Sequence, residues 1–278
     1  ISMWTHGAAG LAARVAGVPV VWHFQDIVNP HAGFGLYQRM VLFWARYIPD
    51  RIICIADRVA APLRADPDVR SRVTVLWNTV DLDQFSSSQS PHQNASSYLL
   101  RIGTVARLTP WKGHEVALQV ARHLQEAGVP FCWHFAGDET LGLSSYRNHL
   151  ETLVATWNLS ATVQFHGWVE NIADFYRELD VLVHLPTEPE PFGLVLAEAM
   201  AAGLPIISTP GGANDLVTNA GGELVLPGRV QPVAELLTSW SRYRSELVTR
   251  GIRASRFAHD TFSIDTFSDD LVTIYNSL

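Results

Sequence analysis

The sequence predicts a doubly wound α/β protein built on parallel sheets. Short runs of β-branched and apolar residues alternate with helical patterns along most of the chain. Most gaps between strand candidates hold enough residues for a helical crossover, which parallel strands require. Polar and glycine-containing segments cluster just after the strands, where such a fold places its ligands.

The chain opens with ISMWTHG, which reads as the end of a strand. VPVVWHF (18–24), RIICI (51–55) and RVTVLW (72–77) read as buried strands, with a helix over GLYQRMVLFWARYI (35–48). SSSQSPHQNASS (86–97) has no large apolar side chain and cannot offset its ordering entropy by burial, so it reads as a linker. Six further strand candidates follow: 99–105, 131–137, 162–167, 180–185, 204–208 and 222–226. The helical pattern at 114–128 ends on Gly128, a residue suited to a helix C-terminus. The expected organisation is a domain over 1–85, the linker 86–97, a second domain over 98–261 and a closing helix over 262–278 packing back on the first domain.

Composition narrows the function classes. The chain has 278 residues, 47% apolar and 17% charged, as expected of globular domains. A net charge of −7 argues against an extended nucleic-acid surface, though not against a small basic pocket for one diphosphate. Cys54 and Cys132 lie inside apolar runs, so they read as reduced core residues in a reducing, cytoplasmic compartment. No apolar run is long enough for a membrane span. Sequons at Asn94 and Asn158 carry little weight, and the eleven histidines show no tight spacing with acidic partners, so no metal site is expected.

Two segments carry most of the chemistry. In GTVARLTPWK (103–112), Arg107 and Lys112 follow a strand and stand before a helix, where cations oppose the helix dipole unless an anion is present. A guanidinium fork and an ammonium point charge there suit one diphosphate. In TEPEPFGLVLAEAMAAGLP (187–205), Gly193, Leu194 and Val195 would offer unpaired backbone N–H groups at a helix start. Glu190 precedes that helix and Glu198 lies on it, embedded among apolar neighbours where a carboxylate needs a partner. The Gly-rich turn in STPGGANDLV (208–217) and the strand ends FAGDE (135–139) and FHGWVE (165–170) would line the same crevice. Across the linker, WHFQDI (22–27) presents His23, Gln25 and Asp26 either to that cleft or to loop backbone.

GTVARLTPWKG, AGDE, FHGW, the E-x7-E spacing of Glu190 and Glu198, and TPGGANDLV occur in the order and spacing of glycosyltransferase family 4, which the chain resembles. NTVD (78–81) is similar to that family's NGVD segment. The resemblance implies a GT-B architecture of two Rossmann-like domains, and retaining transfer from a nucleoside-diphosphate sugar without an essential metal or other cofactor. It implies that Arg107 and Lys112 hold the diphosphate and that Glu190 contacts the donor sugar. Phe192, Gly193, Leu194 and Val195 would supply backbone N–H groups, and Glu198 would bind the ribose. Gly137, His166, Gly167 and Trp168 would border the base.

The sequence also departs from the family pattern. The family normally begins with further residues holding a first strand and a Gly-rich loop, so the first domain is expected to be incomplete. The family's His-Asp pair corresponds to His23 or Gln25 with Asp26, and spacing leaves both open. Thr79 replaces the usual Gly of NGVD, and Ala56 stands where Ser is common. The expected function is transfer of a hexose-type sugar to a saccharide or lipid-linked acceptor, at most peripherally at the inner membrane face. Rival readings are a nucleotide-sugar-binding fragment without turnover, or another GT-B enzyme such as an epimerase or phosphorylase.

Overall fold

The computed structural model describes residues 3–28, 35–85, 98–139, 144–211 and 214–278. The expected linker and the tip of the Gly-rich turn at 212–213 lie outside them. Two parallel sheets organise the described chain, one of three strands and one of six. The first has β1 (Val21–Phe24), β2 (Arg51–Cys54) and β3 (Val73–Val75) in the order β1-β2-β3.

The second sheet contains β4 (Leu100–Val105), β5 (Phe131–Ala136), β6 (Val163–Gly167), β7 (Val181–His184), β8 (Ile206–Ser208) and β9 (Glu223–Leu224). Their order is β6-β5-β4-β7-β8-β9. The strand order therefore reverses between β4 and β7, which pair directly through Ile102–Val181 and Gly103–Leu182. Loops leaving adjacent strands on opposite sides of such a reversal open a crevice at the carboxyl edge.

The opening segment corrects the sequence reading. Residues Met3–Val15 form a helix, α1, rather than a strand end. Its alanine content favours helix over strand, and Gly10 allows close approach to the sheet. A Cβ at Gly10 would lie 2.5 Å from Ile48 Cγ2, with Trp22 Nε1 beyond it at 3.4 Å. Elsewhere the elements match the expected types, and several strands are shorter than the apolar runs that announced them. The 35–48 pattern becomes α2 (Leu36–Tyr47), α3 spans Asp57–Arg64 and α4 spans Leu82–Phe85.

The larger sheet is covered on both faces. α5 (His114–Glu126), α6 (Ser144–Thr156) and α10 (Val230–Arg242) enclose one core around Trp133, Phe135 and Trp240. α7 (Ile172–Arg177), α8 (Leu194–Ala201), α9 (Asn214–Asn219) and α11 (Arg244–Thr261) cover the other. Phe262, fully buried after α11, meets Phe192 edge-on at 6.1 Å between ring centroids. α12 (Ile264–Asn276) then lies on the three-stranded sheet, where Ile274 packs with Ile53 and Leu76. Arg51 fastens its end by donating to the Ser277 carbonyl at 2.9 Å.

Among the described residues no helix is long and apolar enough to cross a membrane. Both cysteines are free. Burial pushes the Cys54 thiol up to about 12, which leaves it a core side chain without thiolate reactivity.

Candidate functional site

The site forms where the loops after β4 and β7 meet. After β4 the chain runs through Arg107 into a single 3-10 turn, Pro110–Lys112, and then into α5. Gly113 joins the two in the left-handed conformation, φ 77°. Its bare backbone lies against the β7 loop, and a Cβ there would fall 1.8 Å from the Leu185 carbonyl oxygen. The Thr187 N–H reinforces this contact by donating to the Trp111 carbonyl at 2.8 Å. Thr209 Oγ1, after β8, donates to the Pro186 carbonyl at 2.8 Å, so three strand ends are tied together.

This stitching brings Lys112 and Glu190 into contact across 78 residues of sequence. Lys112 Nζ lies 2.5 Å from Glu190 Oε2, with both side chains mostly buried. The ammonium also sits 4.1 Å from the Trp111 ring centroid, a cation–π contact. Lys112 thus already has an anionic partner, which the sequence reading did not foresee. His184, the last residue of β7, approaches the same Glu190 oxygen with Nε2 at 3.2 Å.

Burial alone would raise the Glu190 carboxyl. The hydrogen bond and field of His184, together with the Lys112 ammonium, outweigh it and hold Glu190 at about 2. Burial lowers the His184 imidazole, against the opposing hydrogen bond and charge of Glu190. At neutral pH the cluster therefore carries a carboxylate, an ammonium and a neutral ring.

Glu198 stands on α8 with a different partner. Tyr176, fully buried on α7, places its hydroxyl 2.9 Å from Glu198 Oε2 and 3.3 Å from the Val195 carbonyl. A hydroxyl has one proton to donate, so the shorter, charge-assisted bond takes precedence. This is the partner that the embedded carboxylate required. Burial raises the Glu198 carboxyl while the Tyr176 bond works against the rise. Tyr176 is itself fixed by Phe85, 5.9 Å away between ring centroids.

The helix start between the two carboxylates is built as expected. Gly193 is the N-cap of α8 with φ 89°, and the first bond of the turn runs from the Leu196 N–H to the Gly193 carbonyl. Leu194 and Val195 occupy the first turn, where N–H groups have no intrahelical acceptor. Phe192 sends its side chain into the core against Phe262, so only its backbone remains for a ligand. Gly211 approaches Glu190 closely, as a Cβ there would lie 3.2 Å from Glu190 Cβ.

The remaining expected residues separate into two groups. Arg107 is exposed, its carbonyl accepts the Thr109 N–H at 2.8 Å, and its side chain makes no hydrogen bond or ion pair among the described residues. Gly137 follows β5 with φ 133°, its backbone against the Ala106 carbonyl, and Trp168 after β6 is 78% exposed. These positions border the carboxyl edge. The His166 ring instead lies on the sheet face, with Nε2 2.9 Å from His134 Nδ1 and Phe175 edge-on to it. Cys132 Sγ meets the other His134 nitrogen at 3.1 Å, making a chain rather than a converging ligand set. Among the described residues no group of three or more His, Cys, Asp or Glu is placed to hold a metal.

At the end of β1, Gln25 Nε2 lies 3.1 Å from His23 Nε2. Asp26 Oδ1 accepts the Ile27 N–H at 2.7 Å, which is the loop-capping role. The structure couples His23 to Gln25, and burial lowers the His23 imidazole. It shows Asp26 engaged with its own loop rather than with the His23 ring.

The family model for glycosyl transferases group 1 matches residues 89–256, well over half of the chain. The chain belongs to this family. The matched region holds the Lys112, His184, Glu190 and Glu198 cluster. Among curated relatives, the putative glycosyltransferase EpsF of Bacillus subtilis is 31% identical over 212 residues, 72% of this chain and 54% of its own. The putative colanic acid biosynthesis glycosyltransferase WcaL of Escherichia coli is 27% identical over 241 residues, covering 82% and 57%. The chain thus spans about half the length of these relatives.

Among solved structures, Anabaena HepE in complex with UDP matches all of this chain and 77% of its own, with a TM-score of 0.89 at 23% identity. That likeness shows the fold: two parallel sheets in the GT-B arrangement, as the sequence predicts.

His184 and Tyr176 escaped sequence reasoning. His184 lies within the apolar run DVLVHL, where it reads as one more strand residue. A polar side chain at the carboxyl end of a strand beside the reversal point was the available signal. Tyr176 had no such signal, because its partner lies 22 residues away on another helix.

Proposed function

We propose that this site binds a nucleoside-diphosphate sugar and that the protein transfers its hexose, with retention, to a saccharide or lipid-linked acceptor. The observation that carries the proposal is the cluster of Lys112, Glu190 and His184 beside the first turn of α8, at the point where strand order reverses. A diphosphate placed between Lys112, Arg107 and the Leu194 and Val195 N–H groups meets two cations and a helix N-terminus. As the glycosidic bond breaks, the departing diphosphate gains charge, and these fixed donors stabilise it without reorganising.

Glu190 supplies hydrogen-bond acceptors for the sugar hydroxyls, and Glu198 supplies them for the ribose diol. Gly137 and Gly167 let the base approach backbone, with Trp168 exposed beside them. His23 and Asp26 belong to the acceptor side in this reading. The relatives' names favour this assignment: EpsF and WcaL are described as glycosyltransferases, the latter of colanic acid biosynthesis, and HepE is known with UDP-glucose.

Calorimetry with UDP, GDP and ADP, followed by donor-hydrolysis and transfer assays, tests the proposal. One nucleotide should bind with a dissociation constant in the micromolar range, and Glu190→Gln should remove turnover. If no nucleotide binds, the proposal fails. Binding without hydrolysis or transfer would mark the chain as a donor-binding piece only.

Glu198 yields a second expectation, with opposite effects on stability and binding. Its folded-state carboxyl is raised, so its ionisation costs stability as pH climbs through that raised value. Glu198→Gln keeps an acceptor for Tyr176 and removes the buried charge. At pH 8 the variant should melt about 2–4 °C higher, corresponding to roughly 1 kcal/mol. At pH 4 the gain should vanish, because Glu198 is then protonated in the parent. Nucleotide affinity should fall about tenfold at pH 8 with the loss of a charged acceptor. Differential scanning calorimetry at the two pH values checks the first part, and titration with the nucleotide checks the second.

A further inference from the structure

Glu190 Oε2 has two donors, and only one of them is suited to a diphosphate. Lys112 approaches from the β4 loop with the longer, more flexible side chain. His184 approaches from inside the sheet edge, and its side chain is 1% exposed. If Lys112 turns part of its charge toward a diphosphate, Glu190 loses part of its restraint while the buried imidazole stays in place. We propose that His184 is a positioning residue, a neutral imidazole that donates Nε2–H to Glu190 Oε2 and so leaves Oε1 directed to the donor sugar. The inference rests on the reading of Glu190 as the sugar-contacting carboxylate.

The tautomer follows from the surroundings. Burial disfavours a second proton on the ring, Glu190 is the negative group facing it, and the Lys112 ammonium raises the positive potential beside it. A bare Nε2 would set a lone pair against a carboxylate oxygen at 3.2 Å. With the proton on Nε2, Nδ1 is left as a bare acceptor, and among the described residues Nδ1 has no hydrogen-bond partner. A buried acceptor without a partner is tolerated more readily than a buried N–H without one. A lysine or arginine at position 184 would add a charge that competes for the carboxylate, and an apolar residue would release it.

The fold restrains the ring on the strand side. β7 is a buried central strand paired with β4 and β8, so His184 has little freedom to follow a moving ligand. The role is therefore to fix geometry, not to exchange protons with substrate.

Three measurements test the inference. Nitrogen-15 spectra of the ring in the unsubstituted protein should show the Nε2–H tautomer at pH 7, and the Nδ1–H tautomer would overturn it. His184→Leu keeps apolar volume without a donor, whereas His184→Gln restores an N–H at similar reach. With UDP-glucose and UDP as probes, His184→Leu should lose about tenfold in UDP-glucose affinity and in kcat. UDP affinity should stay within about twofold, and His184→Gln should recover most of the loss.

Equal losses for UDP and UDP-glucose in both variants would indicate a merely structural histidine and overturn the proposal. Glu190→Gln serves as the control. If it leaves the preference for UDP-glucose over UDP unchanged, the reading of Glu190 itself falls. If Glu190→Gln removes that preference while His184→Leu does not, only the role of His184 falls. Should His184→Leu fail to fold, the tautomer in the unsubstituted protein still decides.

Discussion

Lys112→Met should lower turnover by about 10²–10³-fold, the usual loss when one fixed donor to transition-state charge is removed. The same change should destabilise the fold by about 3 kcal/mol, because Glu190 would remain mostly buried with His184 as its remaining close partner. The two losses have separate origins, and a double variant distinguishes them. Lys112→Met with Glu190→Gln removes both charges, so stability should return to within about 1 kcal/mol of the parent. UDP affinity should not return, because the diphosphate loses Lys112 in both variants, whereas turnover is already removed by Glu190→Gln alone. Urea denaturation of the single and double variants, with UDP titration of each, completes the cycle. Recovery of both quantities in the double variant would mean that Lys112 serves only to neutralise Glu190.

The low carboxyl of Glu190 adds a pH signature. Held at about 2, Glu190 remains ionised across any working range, so its pairing with His184 and Lys112 contributes stability above the ordinary carboxylate range and loses it as pH falls from that range toward 2. Burial raises the Glu198 carboxyl instead, so its protonation should contribute an acid limb to nucleotide binding above the ordinary carboxylate range. Glu198→Gln should remove that limb, and Glu190→Gln should leave its position unchanged.

The sequence conveyed most of the elements because a buried parallel strand is a continuous apolar run, and each run here is closed by a glycine, proline or polar cluster. It also marked candidate ends, since Arg107, Lys112, Glu190 and Glu198 are charges placed after strands or inside an apolar helix. What it hid was adjacency. β4 pairs with β7 rather than with its neighbour in order alone, and that crossover brings residues 112 and 190 within one hydrogen bond. No local pattern records it. His184 was hidden for a related reason: a histidine in an apolar strand is indistinguishable from a core residue until its carboxylate is found. Tyr176 belongs to a helix of only six residues, too short for periodicity to reveal which face it buries. The opening segment resembles a strand end over its first seven residues, but the alanine-rich continuation from Ala8 carries it into a helix.

Gly113→Ala should be the most disruptive single methyl in the site. Gly113 and Gly128 both adopt left-handed backbone, φ 77° and 67°. For either, alanine costs about 1–2 kcal/mol in that conformation. At Gly128 nothing lies within 4 Å of the added Cβ, so the cost should stop there. At Gly113 the Cβ would fall 1.8 Å from the Leu185 carbonyl oxygen and 2.6 Å from its carbon, both backbone atoms that no rotamer change can move. Relief requires the β4 and β7 loops to separate, which breaks the bond from the Thr187 N–H to the Trp111 carbonyl and draws Lys112 away from Glu190. The total should exceed about 4 kcal/mol, beyond the range of ordinary substitutions. Denaturation midpoints of the two variants give the comparison directly, with Gly128→Ala reporting the backbone cost and the difference reporting the clash. Equal midpoints would mean that the two loops are free to separate, and the close contact that places Lys112 on Glu190 would then not be a fixed feature of the fold.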